Sequence, residues 1–332
     1  MKKLYLVTCL LTALSLSAPV LSGSKILINN EGLYPEGISY DAQGKRFYVS
    51  SVARGEVWKV NQAGEAELFA KDDAFASTIG LKVDEKHNRL LVCVSDPGVG
   101  QSSKEATRGK LAGLAVYDLT SKEKIAYYDL APVDDNKGHF ANDVTVDDEG
   151  NIYVTDSFSP AIYKIDSTGS IRTLVTNPKW EVAQGKFGLN GIVYHPDRFL
   201  IVAHYATGKL YKVDLDNPNE FEEIHMAQTS IKWKATGLDG LLLLDNATLV
   251  AVNNDSSGRE NGNFVMRLTS KDGWNNASVD RVMATSNTFP TTLTKIDTDI
   301  FVMHAKLATL FTGKEAPEKT FAIEQVLFSD VE

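Results

Sequence analysis

The sequence predicts an all-β fold, a closed six-bladed β-propeller, from three observations. First, three segments superpose without gaps as strand, short turn and second strand, and they span residues 48–60, 153–165 and 201–213. Second, another strand lies about ten residues before each segment, and this strand begins with a polar residue that is followed by glycine or its equivalent. Third, weaker copies of this unit bring the count to six. Four-stranded propeller blades are typically ~40 to 50 residues long, so one unit corresponds to one blade.

The second residue of each opening strand marks the repeat and measures its length. The markers are Gly37, Gly80, Asp143, Gly191, Gly240 and Thr291, which lie 43, 63, 48, 49 and 51 residues apart. The longest step contains the polar loop 97–108. A parallel β-helix repeat would be far shorter, and two packed sandwiches would not keep one opening motif throughout. We expect residues 24–332 to form one propeller. Its ring should close by pairing of 25–29 with the blade that ends at 320–328, because closure removes an open sheet edge.

Residues 1–23 have the pattern of a secretory signal peptide. Lys2 and Lys3 precede an uncharged apolar run over 4–18, and small residues at 22–24 offer a cleavage site. An uncleaved anchor or a buried strand are the alternatives. No later apolar stretch approaches the ~20 residues of a transmembrane helix. The mature protein is therefore expected to be secreted or periplasmic.

Charge and cysteine content restrict the partners and the redox chemistry. The chain has 34 basic and 43 acidic residues, a net charge of -9, which disfavours a nucleic-acid partner. Cys9 lies in the predicted signal peptide, so Cys93 would be alone in the mature chain and could form no intrachain disulfide. A small molecule is the expected partner.

The inner strands of a propeller line its central channel, so their first residues meet at one rim. Those residues are Glu36, Ile79, Asn142, Asn190, Asp239 and Pro290. Two carboxylates and two amide carbonyls form an oxygen-only set suited to Ca²⁺, whereas the lack of Cys and His disfavours Zn²⁺. Asn and Asp before Gly are also ordinary turn formers. Four polar residues at one register favour a cation, because converging carboxylates would otherwise repel each other.

The segments around these residues resemble the metal-binding segments of a known family. Pro-Glu-Gly at 35–37, Ala-Asn-Asp at 141–143, Gly-Leu-Asn-Gly at 188–191 and Gly-Leu-Asp-Gly at 237–240 are similar to those of the regucalcin/gluconolactonase (senescence marker protein) family. That family resembles diisopropyl fluorophosphatase and, more remotely, paraoxonase. The resemblance implies a six-bladed propeller with a catalytic divalent ion, usually Ca²⁺, and hydrolysis of lactones or phosphorus esters.

Matched motif to motif, the resemblance implies Glu36, Asn142, Asn190 and Asp239 as metal ligands, with Asp239 also acting as base or nucleophile. The second and sixth openings depart from the family pattern, because they offer Ile79 and Pro290 with no side-chain ligand.

The second strands of the blades return to the same rim and supply further candidates. Their ends carry Ser51, Asp96, Asp156, His204, Asn254 and His304. We expect His204, His304 and Asp156 to contact substrate, with the histidines orienting it or moving a proton. His139, just before Asn142, is a similar candidate, and a structural role is the alternative for each histidine.

These observations predict an exported metal-dependent hydrolase, most simply a lactonase that uses a Ca²⁺-type ion. The chain has no Gly-x-Ser-x-Gly, no phosphate-binding loop and no His-Glu-x-x-His, which disfavours serine-nucleophile, nucleotide and zinc-protease chemistry. The alternatives are a non-catalytic binding or scaffold propeller, a phosphotriesterase-like hydrolase, and a propeller with its chemistry elsewhere, as in strictosidine synthase-like proteins. The complete set of four ligands favours the hydrolase, because a scaffold does not need it.

Overall fold

The computed structural model describes residues 23–131, 137–227, 233–255, 259–286, 288–313 and 315–331, and they are nearly all β-structure. The predicted all-β propeller is confirmed. Residues 1–22 of the predicted signal peptide lie outside the described residues. No helix within the described ranges is long and apolar enough to cross a bilayer.

The strands form six groups of four, each ordered from the channel outward. The first blade contains β2 (Ile38–Asp41), β3 (Arg46–Val49), β4 (Glu56–Val60) and β5 (Ala66–Lys71). The second contains β6 (Ser77–Asp84), β7 (Arg89–Ser95), β8 (Ala112–Asp118) and β9 (Lys124–Asp129). The third contains β10 (Ala141–Val146), β11 (Ile152–Asp156), β12 (Ala161–Ile165) and β13 (Ile171–Thr176).

The fourth blade contains β14 (Leu189–His195), β15 (Phe199–His204), β16 (Lys209–Asp214) and β17 (Glu222–Ala227). The fifth contains β18 (Leu238–Asp245), β19 (Thr248–Asn253), β20 (Phe264–Thr269) and β21 (Asn276–Ala284). The outer strands β17 and β21 pair in parallel and join these two blades into one sheet. A two-residue strand, β25 (Ser329–Asp330), also pairs with β21.

The sixth blade closes the ring with a strand from the other end of the chain. It contains β22 (Pro290–Ile296), β23 (Asp299–His304), β24 (Thr320–Gln325) and β1 (Lys25–Asn29), with a short helix α1 (Leu307–Thr312) between β23 and β24. β1 pairs antiparallel with β24, with Lys25 opposite Glu324 and Asn29 opposite Thr320. The predicted pairing is therefore confirmed, and β1 covers the edge that β24 would otherwise expose.

The blades pack face to face, so their middle strands are buried on both sides. Residues 90–94 of β7 are fully buried, and they include Cys93, which is a free cysteine. The large rings Trp180 and Trp274 are also fully buried, each near the outer part of a blade. Apolar runs on both faces are what a strand between two other sheets requires, because burial of apolar area drives the packing.

The inner strands approach one another closely around the channel. A Cβ added at Gly37, Gly80, Gly191 or Gly240 would lie 2.5, 2.5, 2.3 or 2.7 Å from a backbone oxygen of the next inner strand. At the two remaining steps, Asp143 Oδ2 accepts a hydrogen bond from the Ile192 amide at 3.3 Å, and Thr291 Oγ1 donates to the Glu36 carbonyl at 2.7 Å. The repeat markers thus form six steps of one closed ring, and this ring holds the first residues of the inner strands at one rim.

We expect Gly191→Ala to lower the free energy of unfolding by ~1 to 3 kcal/mol, the usual cost of overpacking. The new Cβ would meet the Asp239 carbonyl, which is backbone and cannot move away alone. Urea denaturation followed by far-ultraviolet circular dichroism measures the change. Gly313→Asn is the control, because Gly313 has nothing within 4 Å and Asn tolerates its left-handed backbone. An unchanged midpoint for Gly191→Ala would show that the strands are not in close contact.

Candidate functional site

Four buried side-chain oxygens lie at one cavity at the rim, and none of them has a hydrogen-bond partner among the described residues. They are Glu36 Oε2, Asn142 Oδ1, Asn190 Oδ1 and Asp239 Oδ1, and all four residues line a cavity of about 70 Å³. Burying an unpaired polar atom costs free energy, and natural proteins have few such atoms. Their convergence makes these four oxygens candidate ligands for a cation.

Irregular strand pairing occurs at three of the four candidate ligands. β10 pairs with β11 at Ala141 and again from Val144, so residues 142–143 form a bulge. β14 and β18 show the same register shift at residues 190–191 and 239–240. A β-bulge changes the direction of a side chain and is common next to functional sites. β6 and β22 have the same shift at residues 79–80 and 291–292, so the bulge is a feature of the repeat and not of the candidate ligands alone.

Neighbouring side chains bond the other polar atoms of two ligands. Asn142 Nδ2 donates to Ser157 Oγ at 2.9 Å, and Ser157 Oγ donates in turn to the Leu189 carbonyl at 2.5 Å. Asn254 Nδ2 donates both to Asp239 Oδ2, at 2.5 Å, and to the Pro290 carbonyl, at 2.8 Å. With these atoms occupied, Asn142 Oδ1 and Asp239 Oδ1 are left for a ligand in the cavity.

Asn254 is itself held in place. The Tyr205 hydroxyl donates to Asn254 Oδ1 at 2.6 Å, so both ends of the amide are fixed. Sequence analysis placed Asn254 at the rim without a role, and the structure makes it the residue that positions Asp239.

Burial of the two carboxyl groups makes their protonated forms favourable when no cation is present. Burial raises the pKa of Asp239 to about 8, even though the hydrogen bond from Asn254 lowers it. Burial and the charge of Asp239 raise the pKa of Glu36 well above its ordinary value. The nearby Asp143 has its pKa raised to about 6, again chiefly by burial. A divalent cation would reverse this effect, because it stabilises the charged forms.

The rest of the cavity wall is apolar or aromatic. It comprises Val52, Ile79, Pro97, Phe140, Phe187, Tyr205, Phe289, Leu307 and Phe311. Leu307 and Phe311 come from α1, and Phe187 and Phe140 lie in the segments just before the openings of β14 and β10. Sequence analysis missed the four phenylalanines because they lie outside the repeated strands and follow no period.

The structure brings the four predicted metal ligands together but places the predicted substrate contacts elsewhere. Asp156, His204 and His304 are buried and are not among the residues that line the cavity. Within the described residues no three His, Cys, Asp or Glu side chains cluster as a metal site. The candidate set instead combines two carboxylates with two amides, as the rim analysis predicted.

Asp156 and the two histidines are occupied by contacts that hold loops in place. Asp156 accepts hydrogen bonds from the amides of residues 140, 158 and 159, and lies 2.7 Å from His139 Nδ1. His204 Nε2 is 3.2 Å from the Trp180 carbonyl. These partners favour structural roles for Asp156, His139 and His204, the alternative that the sequence left open for the histidines.

His304 has partners on both ring nitrogens. Nδ1 is 2.6 Å from Thr288 Oγ1, and Nε2 is 2.8 Å from Glu324 Oε2. It therefore links β23 to β24 and to the segment before β22, and the geometry does not favour it as a substrate contact.

Comparison with known proteins identifies the family. The family model described as SMP-30/gluconolactonase/LRE-like region matches residues 34–262. The chain belongs to this family. The match includes all four candidate ligands. A search of curated proteins found no match.

Solved structures of similar fold cover nearly the whole chain at low identity. The major allergen Mala s 1 of Malassezia sympodialis has a TM-score of 0.70 at 16% identity, covering 92% of this chain and 96% of its own. A luciferin-regenerating enzyme has a TM-score of 0.62 at 10% identity, covering 93% and 98%. A gluconolactonase of Xanthomonas campestris has a TM-score of 0.58 at 12% identity, covering 91% and 89%. At these identities the likeness supports the fold.

The raised carboxyl pKa values predict how the stability of the metal-free protein depends on pH. A group with a raised pKa stabilises the folded state fully below its unfolded pKa, about 4, and this contribution is lost as pH rises through the folded pKa. For Asp239 the loss continues to about pH 8. In the presence of a chelator, we expect the thermal unfolding midpoint to decrease as the pH rises from 5 to 9. Asp239→Asn should make this decrease smaller. Scanning calorimetry measures the midpoint at each pH.

The control for that series is Asp245→Asn, at the exposed far end of the same strand, which should leave the slope unchanged. A midpoint that rises steadily from pH 5 to 9 in chelator would contradict the proposed burial of ionisable groups at the rim.

Proposed function

We propose that this protein is a lactonase-type hydrolase that works with a divalent cation, Ca²⁺, held by Glu36, Asn142, Asn190 and Asp239. The observation that carries the proposal is the convergence of four buried, unpaired oxygens on one cavity. Membership of the SMP-30/gluconolactonase/LRE-like family supports the reaction class.

The donor set fits Ca²⁺ because all four ligands are oxygens and two of them are carboxylates. Ca²⁺ takes six to eight oxygen ligands, so four protein ligands leave room for water and substrate. When bound, such an ion polarises a lactone carbonyl and stabilises the negative charge that develops on its oxygen.

Asp239 is the residue placed to move a proton. Asn254 fixes Oδ2, so Oδ1 alone is directed to the cavity. In the proposed reaction a water molecule attacks the lactone carbonyl carbon while Asp239 accepts a proton from it. The bond between that carbon and the ring oxygen then breaks, and the ring oxygen receives the proton from Asp239. The product is the open hydroxy acid.

The apolar wall contributes by excluding bulk water. Phe140, Phe187 and Leu307 surround the four oxygens with hydrocarbon. Electrostatic stabilisation is stronger in such surroundings than in water.

We expect Asp239→Asn to lower the rate of lactone hydrolysis by ~10² or more at saturating Ca²⁺, because it removes the base while keeping the shape and one carbonyl ligand. Glu36→Gln should act mainly through metal affinity, so excess Ca²⁺ should restore part of its activity. Steady-state hydrolysis over a calcium titration, with metal analysis of each purified variant, measures both.

The matched control is again Asp245→Asn, the same substitution on the same strand, which should keep full activity. Full turnover of Asp239→Asn at saturating metal would contradict the assigned base. Wild-type protein that binds Ca²⁺ but opens no lactone would instead favour a non-catalytic binding propeller, and a phosphotriester panel would separate the phosphotriesterase-like alternative.

We also propose that the protein is exported after cleavage near residues 22–25. The support is the basic start and apolar run of residues 1–23. Expression of the full chain followed by N-terminal sequencing of the secreted or periplasmic protein tests this. An intact Met1 in a cytosolic fraction would contradict it.

A further inference from the structure

We propose that the substrate is a hydrophobic lactone, whose ring carries an alkyl or aromatic substituent instead of hydroxyl groups. This inference rests on the proposed hydrolase function and specifies its substrate class. It follows from the wall of the cavity, from the groove that continues it and from the contrast with the opposite end of the channel.

The wall offers a substrate almost no polar side chain beyond the four candidate ligands. Among the described residues that line it, the one further polar side-chain group is the Tyr205 hydroxyl, which already donates to Asn254. A sugar lactone would bring several hydroxyl groups against Val52, Ile79 and Phe140. A buried hydroxyl without a partner loses its hydration with no compensation, so the wall discriminates against such substrates.

The cavity continues outward into a larger groove of about 680 Å³. Four aromatic residues line both spaces, namely Phe187, Tyr205, Phe289 and Phe311. Ala206 and Ala308 extend the groove, and Lys186 and Thr312 lie towards the solvent. A lactone ring at the four oxygens can therefore place a substituent across aromatic surface before reaching water.

Two members of this aromatic set have further features. Phe311 on α1 is 44% exposed, so its ring is accessible to a ligand in the groove. Phe289 has a φ of 55°, a left-handed conformation that is unfavourable for a bulky residue. The Ala305 amide donates to its carbonyl at 3.0 Å and holds this conformation.

The opposite end of the channel has the polar side chains that the wall around the four candidate ligands lacks. The other ends of the inner strands line a cavity of about 520 Å³ that includes Lys82, Asp84, Asp147 and Lys295. The fold can therefore place charged groups around the channel. The apolar wall is specific to the end that holds the four candidate ligands.

A series of lactones with one ring size tests the proposal. The probes are δ-hexalactone, δ-octalactone and δ-decalactone, with methyl, propyl and pentyl substituents, and δ-gluconolactone as the polar comparison. Each kcat/KM is measured in saturating Ca²⁺ and divided by the uncatalysed rate for that lactone. We expect a rise along the alkyl series of up to about fourfold per methylene, the limit set by complete burial, with δ-gluconolactone lowest.

Phe311→Ser tests the groove with little risk to folding, because this side chain is already half exposed. We expect it to reduce kcat/KM for δ-decalactone about tenfold and to reduce that for δ-hexalactone less, because a methyl substituent covers less of the groove than a pentyl chain does. The matched control is Ile171→Ser, at a position that is 41% exposed on β13 and away from the groove, which should change neither.

A separate binding measurement distinguishes failure of this inference from failure of the proposed function. Calorimetric titration of Asp239→Asn with δ-decalactone should show binding with a negative heat-capacity change, the mark of apolar burial. Binding without hydrolysis by the wild type would overturn the lactonase and keep the hydrophobic ligand. Faster hydrolysis of δ-gluconolactone than of the alkyl lactones would overturn this inference and keep the lactonase. A wild type that neither binds nor opens any of them overturns both.

Discussion

The close backbone contact between neighbouring inner strands is the constraint on which the rest of the structure depends. At four of the six steps around the channel the contact leaves no space for a Cβ, and at the other two a side chain of the marker residue completes it. Because the strands are this close, the residues just before five of the six markers, all except Pro290, line the same small cavity. Side chains from four different blades can then act together, although they are separated by more than 200 residues of chain.

The electrostatics of the rim follow from this geometry. Two carboxyl groups buried close together in an apolar surrounding either hold protons or hold a cation, and the raised pKa values of Glu36 and Asp239 describe the first state. The proposed divalent ion would therefore remove an unfavourable feature of the rim, because it would neutralise the two buried carboxylates. The same burial would strengthen the interaction of such an ion with these groups, since charges interact more strongly away from water.

The parts of the structure that could be predicted from the sequence are those that repeat. Gly37, Gly80, Gly191 and Gly240 recur at one position of the blade unit because one steric requirement recurs, so the blade units and the rim residues could be predicted together. The pairing of 25–29 with the last blade followed from the need to cover an edge. The direction in which a buried polar side chain points does not repeat, because it depends on loop partners. Asp156, His204 and His304 end strands as the pattern requires, yet each is bonded to a loop outside the pattern. The aromatic residues of the cavity wall could not be predicted either, because they also lie outside the repeated strands.

The parallel pairing of β17 with β21 has a mechanical consequence for the rim. Neighbouring blades of a propeller ordinarily are in contact near the central channel and diverge towards the outside. The fourth and fifth blades are hydrogen-bonded through their outer strands as well as in contact through their inner strands. Asn190 and Asp239 lie on these two blades, so the distance between them is restrained from both ends of the blades. Glu36 and Asn142 belong to blades without such a pairing among the described strands, so adjustment of the distances between the four side chains falls to these two residues.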